Sequence, residues 1–296
     1  MELGQIRMVK AVAETGSVAR AAQRLHCVPS NVTARIKALE SELGTPLFIR
    51  AGRGLVISPA GKIFLPYAEK ILALTDEAKR AVDANTSPSG SLRIGAIDSC
   101  ASGRLPPLLA EYHQRYPNVT LELTTATGAQ LLDDTLHRRL DGVMVALPSN
   151  HLQLRKTVLY QERLFIISAK GLAPITRPDD LKGKALLMWP KGCPYRAALE
   201  KWLADCGLVL PIVSYASWGT IIGCVRAGAG IALVPEGVLE QFGAGLTLST
   251  YSFDALQPID NFFVEYDDEA HHPAREAFVS LLRERLNFQV EDHRSL

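Results

Sequence analysis

The 296-residue sequence predicts an α/β body of two lobes, preceded by an N-terminal winged helix-turn-helix and a long linker helix. Three observations point there. Short helical segments punctuated by turn residues precede a small hairpin pattern. An apolar seam at helical spacing follows. Beyond Gly90 strands alternate with helices, the order of a parallel sheet with helical crossovers. A hydrophobic fraction of 47% with 21% charged residues fits a folded chain and excludes global disorder.

Leu3, Ile6, Val9 and Ala13 form the first helical stripe, which Gly16 stops. Ser17 is the expected N-cap of a second helix, Val18 to Leu25. His26-Cys27-Val28 is a tight turn. Pro29 or Ser30 opens a third helix, with Val32, Ile36, Leu39 and Leu43 on its apolar face and Gly44 at its end. Two helices joined by a short turn, the second polar at its start, form a helix-turn-helix. Phe48-Ile49-Arg50 and Leu55-Val56-Ile57 flank a turn and read as a wing.

Ser58-Pro59-Ala60-Gly61 caps the long helix. Phe64, Tyr67, Ile71, Leu74, Ala78 and Val82 are spaced as the a and d positions of a coiled-coil seam, so this helix is expected to dimerise. Pro66 lies inside it and predicts a kink or irregular first turns. Residues 85–90 are rich in turn formers and mark a domain boundary. The expected organisation is 1–58 winged helix-turn-helix, 59–89 linker, and 90–296 body, with lobe 1 at about 90–163 and 267–296 and lobe 2 at about 164–266.

Charge is uneven along the chain. Residues 1–58 hold eight Lys/Arg against four acids, whereas the whole chain has a net charge of +1. A basic head on a mildly acidic body suits a polyanion-binding module. The five cysteines are scattered with no CxxC pair, so neither a zinc site nor a disulfide framework is expected, and no cofactor. No apolar run is long enough to span a membrane, and the N-terminus lacks the order of a signal peptide. The expected location is cytoplasmic. GxSxG, P-loop and HExxH patterns are absent, so catalysis is not expected. His271-His272 reads as an exposed loop rather than a metal site. Gly228-Ala229-Gly230 precedes its strand, which excludes a dinucleotide fingerprint.

Residues 1–65 closely resemble the DNA-binding domain of LysR-type transcriptional regulators. The resemblance is carried by Ala13-Glu14-Thr15-Gly16-Ser17, Ala21-Ala22-Gln23-Arg24-Leu25, Val32 to Glu40, Glu42-Leu43-Gly44, Leu47-Phe48-Ile49-Arg50 and Ser58-Pro59-Ala60-Gly61, in the family's order and spacing. It implies an effector domain like a periplasmic binding protein, a double-stranded DNA operator, a small-molecule effector, and a homodimer assembling to a homotetramer. Where many members place Ser and Gln, this chain has Val28 and Pro29. The Val-Pro-Ser-Asn run resembles a subgroup that includes a putrescine-utilisation regulator.

The DNA-facing candidates are Ser17, Arg20, Pro29, Ser30, Asn31, Thr33, Arg35, Lys37, Arg50 and Arg53. Asn pairs bidentately with adenine and Arg with guanine, and wing arginines suit phosphate or minor groove. The alternative for Arg35 is an ion pair one turn away, but no acid stands there on its own helix. Ligands of open α/β sheets bind beyond the carboxyl ends of strands. That rule selects Asp98, Ser99, Cys100, Thr127, Cys193, Arg196, Ser217 and Trp218 as effector candidates. Asp98 at the cleft suggests an amine or zwitterion, with Trp218 or Tyr195 as a cation–π wall. The competing reading is that Asp98 only caps a helix. A second functional class is a redox-sensing regulator using Cys100, Cys193 or Cys224.

Overall fold

The structure is a computed structural model that describes residues 1–51, 54–81, 87–146, 150–243, 247–267 and 271–286. The chain divides into two compact units near residue 85, the first with the short stretches Leu136–Arg139 and Glu269–His272 added.

The first unit begins with α1 (Leu3–Thr15), α2 (Val18–Arg24) and α3 (Pro29–Leu43). Gly16 and Gly44 end α1 and α3 in the left-handed region, at φ of 64° and 66°, where an L side chain is strained. Ser17 caps α2 by accepting the Arg20 N–H at 3.4 Å. The residue at the N-cap of α3 is Val28, with Pro29 in the first turn, so Ser30 is not a cap. Val9, Val12, Ala21, Val32, Ile36, Leu39 and Leu47 bury one shared core. Glu40 joins helix to wing, accepting the N–H groups of Leu47 at 2.7 Å and Phe48 at 3.1 Å. The wing pairs β1 (Phe48–Ala51) with β2 (Gly54–Ile57) antiparallel.

The linker is α4 (Pro59–Ala81). Ser58 starts it, donating to the Pro46 carbonyl at 2.7 Å and accepting the Gly61 N–H at 2.9 Å. The irregular first turns expected from Pro66 are not found, for the helix is continuous. Only the bond to the Lys62 carbonyl is forfeited, and Lys62 is exposed to water that can replace it. Of the predicted seam, Phe64 and Ile71 are half-buried, while Tyr67, Leu74 and Ala78 are exposed; Val82 lies outside the described residues.

The second unit contains two five-stranded sheets. Lobe 1 holds β3 (Gly90–Ala96), β4 (Val119–Thr125), β5 (Gly142–Val145) and β6 (Leu154–Glu162), with α5 (Asp98–Gly103), α6 (Leu105–Arg115) and α7 (Gly128–Leu136). Lobe 2 holds β7 (Leu164–Ala169), β8 (Leu186–Met188), β9 (Ile212–Ser214), β10 (Ile231–Pro235) and β11 (Leu248–Tyr251), with α8 (Pro194–Asp205), α9 (Trp218–Arg226) and α10 (Glu236–Gln241). The chain then returns through β12 (Ile259–Tyr266) and α11 (Pro273–Arg285).

The strand orders are β4-β3-β5-β12-β6 and β11-β7-β10-β8-β9. The parallel pairing expected from the alternation holds for β4, β3 and β5 and for β10, β8 and β9. The other pairings of these sheets are antiparallel: β12 with β5 and β6, where the chain returns to lobe 1, and β7 with β10 and β11 in lobe 2. This corrects the lobe boundary: β12 pairs with β5 and β6, so the return to lobe 1 begins at Ile259 rather than residue 267. Close packing enforces it. A Cβ on Gly142 would stand 2.2 Å from the Phe263 ring of β12, so the glycine leaves room for that buried ring. Phe278 of α11 packs edge-on against Tyr112 of α6 at 5.3 Å between centroids. His272 is buried, not exposed as the loop reading predicted, because it directly precedes α11 where that helix packs into the core. Gly228-Ala229-Gly230 is a turn feeding β10, as its order in the sequence required.

Candidate functional site

Two surfaces are candidates for function, one in each unit. In the first, the buried stripe Val32, Ile36 and Leu39 fixes which way α3 faces. Ser30, Asn31, Thr33, Ala34 and Lys37 are left exposed along the opposite side of its N-terminal half. Pro29 is exposed beside them, as are Arg20 on α2 and Arg50 on the wing; Ser17 is half-buried under its capping bond. Arg53 lies outside the described residues.

Besides Ser17, three of the DNA-facing candidates have internal partners. Thr33 donates its hydroxyl to the Pro29 carbonyl at 3.0 Å. Arg20 folds back to donate to the Thr15 carbonyl. Arg35 pairs with Glu2 at 2.6 Å, from the chain's own N-terminus. The expectation that Arg35 lacks an acidic neighbour is therefore corrected: helical spacing searched only α3, whereas packing of α1 against α3 supplies the acid. The pair is exposed, so it is worth about 0–1 kcal/mol and yields readily to a stronger anion.

In the second unit, a cleft of about 550 Å³ opens between the lobes. Lobe 1 contributes Ile97, Asp98 and Ser99 after β3, Thr124 to Gly128 at the end of β4, and Gln130. Lobe 2 contributes Trp189 to Tyr195 after β8, with Ala216 and Trp218 at the start of α9. The cleft therefore gathers Asp98, Ser99, Thr127, Cys193 and Trp218 of the predicted set. The Trp189 and Trp218 rings stand 5.7 Å apart at 52°.

The lining does not include Cys100, Arg196 or Ser217. Cys100 points into the protein, with Sγ 3.3 Å from Asn261 Oδ1 and 3.4 Å from the Tyr160 hydroxyl. Arg196 turns away to brace the wall from behind. Its guanidinium donates to the Trp189 carbonyl at 3.0 Å, Ser214 Oγ at 2.9 Å and Glu200 at 2.7 Å. Ser217 caps α9 by accepting the Thr220 N–H at 3.3 Å. Strand-end position located each of these residues near the cleft; side-chain direction, set by packing, took them out of it. Sequence reasoning missed Gln130, Trp189 and Lys191. The position of Trp189 and Lys191 just past β8 was the signal that could have found them.

Asp98 is not the N-cap of α5; that position belongs to Ile97. The Asp98 carboxyl is half-buried, and burial holds it above the ordinary carboxylate range. Next to it, Ser99 donates to the Tyr195 hydroxyl at 3.3 Å, and Tyr195 donates to Asn261 Oδ1 at 3.4 Å. That buried chain ties α8 of lobe 2 to α5 and β12 of lobe 1. A second tie lies behind it: Glu162 accepts from Arg104 at 3.0 Å and from the Gly237 N–H of α10 at 2.8 Å. Ser99 and Tyr195 thus both line the cleft and join the lobes.

Burial pushes the Cys100 thiol up to about 12 and raises Cys193 as well. A peroxide-reactive cysteine needs the opposite, a lowered value with access to solvent.

A helix-turn-helix with an exposed polar recognition face, joined to a two-lobed ligand-cleft domain, defines a class of one-component transcriptional regulators. Residues 3–62 match the family model of the bacterial regulatory helix-turn-helix protein, lysR family. Residues 85–287 match the LysR substrate binding domain. The chain is 38% identical over 281 residues to the HTH-type transcriptional regulator YusT of Bacillus subtilis, covering 94% of each. It is 35% identical over 285 residues to the HTH-type transcriptional regulator SoxR of Arthrobacter sp., covering 96% of this chain and 97% of that one. A full-length OxyR variant from Pseudomonas aeruginosa shares the fold, with a TM-score of 0.77 at 22% identity over 96% of this chain and 98% of that one. The chain belongs to the LysR family of DNA-binding transcriptional regulators. Among the described residues no helix is long and apolar enough to cross a membrane.

Proposed function

We propose that this regulator binds double-stranded operator DNA with the α3 face, self-associates through α4 and answers to a small molecule held between its lobes. The observation that carries the reading is the exposed set Ser30, Asn31, Thr33 and Lys37 above the buried Val32 and Ile36. Polar groups on the N-terminal half of a recognition helix are what major-groove readout requires. Residues 1–58 serve as the DNA head and 59–89 as the linker. The protein works in the cytoplasm and is not an enzyme. Anisotropy titration with DNA from upstream of its own gene is expected to show saturable binding that weakens steeply with salt. Equal affinity for scrambled DNA would count against sequence-specific control.

The exposed Tyr67, Leu74 and Ala78 of α4, in line with half-buried Phe64 and Ile71, suit a helix partner from a second copy, giving a dimer and then a tetramer. Ile71→Glu with Leu74→Glu places charge in that seam and is expected to yield smaller species by light scattering.

The redox alternative has less support. Iodoacetamide at about pH 8 is expected to label the exposed Cys206 and to spare Cys100 until the protein unfolds. Rapid modification of native Cys100 would reinstate it. The putrescine-utilisation subgroup suggested by Val28 to Asn31 is not supported by the names of the relatives, so the effector class is better argued from the cleft itself.

A further inference from the structure

Resting on that reading of the cleft, we propose that its ligand is a zwitterion of the α-amino acid class, its ammonium held by Asp98, its carboxylate by Lys191, and its apolar part against Trp189 and Trp218. Asp98 and Lys191 are the charged side chains of the lining. Among the described residues neither has an ion pair, with each other or with any other group. A half-buried carboxylate without a cation is costly to keep charged, and a bound ammonium offsets that cost.

The two charges stand on different lobes. Asp98 follows β3 in lobe 1; Lys191 follows β8 in lobe 2, two residues before the Cys193 cap of α8. The positive end of that twelve-residue helix adds to the lysine's preference for an anion. In lobe 1 the acid itself opposes any such preference. A zwitterion therefore satisfies both walls and draws them together. A simple carboxylate meets Asp98 as a like charge, and a simple amine leaves Lys191 without a partner. The remaining polar lining, Ser99, Thr127 and Gln130, hydrogen-bonds either sign and does not discriminate. The volume of about 550 Å³ lies within the small-molecule range of roughly 300–1,000 Å³.

The test is calorimetric titration of the full-length protein with the standard amino acids, then with the deamino acid and decarboxylated amine of each binder. At least one amino acid is expected to bind, with each analogue weaker by about tenfold or more. Asp98→Asn is expected to bring the amino acid and its deamino analogue to similar affinity. Lys191→Gln is expected to do the same for the amine. Both side chains lack ion-pair partners and neither is fully buried, so an unchanged Tm should accompany each result. Failure of every amino acid to bind would overturn the proposal. So would a deamino acid that matches its parent and is undiminished in Asp98→Asn. Operator binding that responds to another class of molecule would sink the zwitterion and leave the regulator standing. Loss of operator binding itself would instead strike the reading beneath it.

Discussion

The proposed DNA-facing surface and the proposed effector cleft are built in opposite ways. The first is almost one stretch of chain, with Ser30, Asn31, Thr33 and Lys37 within two turns of α3. The second assembles strand ends from both lobes, and its residues are separated by up to 121 positions, from Ile97 to Trp218. A surface made by one helix is oriented by that helix's own apolar stripe. A surface made by many segments is oriented by the packing of each. The first is expected to tolerate loss of a side chain without refolding, and the second to depend on the core beneath it.

Substitutions can break that contrast or sharpen it. The largest expected effect is in the effector unit: Phe263→Ala removes a fully buried ring wedged against Gly142 and Phe278. It is expected to cost about 3–5 kcal/mol, read as a fall in the urea midpoint. A shift below about 1 kcal/mol would show that β12 is a loose strap rather than part of the core. Asn31→Ala, on the exposed face, is expected to leave the midpoint unchanged. Its cost falls on operator discrimination, about 1–3 kcal/mol by competition against scrambled DNA. Loss of stability instead would show that this face is structural.

Smaller effects separate positioning from readout. Lys37→Ala and Arg50→Ala are each expected to weaken all DNA sequences alike and to lower the salt slope by about one phosphate contact. A sequence-dependent loss would move that residue to base readout. The smallest effect belongs to the Arg35–Glu2 pair. Glu2→Gln releases the guanidinium and removes a negative charge beside α3. Stability should change by less than about 1 kcal/mol while DNA affinity rises severalfold. Unchanged affinity would mean that Arg35 does not reach DNA.

How far the sequence can be read follows from the same contrast. The helix boundaries of the head, the Ser17 cap and the Ser58 start of α4 follow from patterns a few residues long, and the structure has them where those patterns put them. Strand β6, like β11, is not legible in the sequence. Its run, Leu154 to Glu162, interleaves Arg, Lys and Thr with few apolar residues, because one face of this edge strand stays in water. The placement of β12 was legible only as a strand; pairing with β5 and β6 is a long-range choice made by packing.

For the cleft, the rule of strand ends picked out Asp98, Ser99, Thr127, Cys193 and Trp218, which line it, because loop position is a property of topology. It could not say that Cys100 points at Asn261, that Arg196 grips the Trp189 carbonyl, or that Glu2 reaches Arg35. The sequence by itself determined most of the elements, their order and the residues at their ends, since these rest on capping, periodicity and turn chemistry within a few neighbours. Only the tertiary structure decided which side chains face the cleft and which face each other. Direction is set by contacts between segments far apart in the chain, and a local pattern holds no record of them.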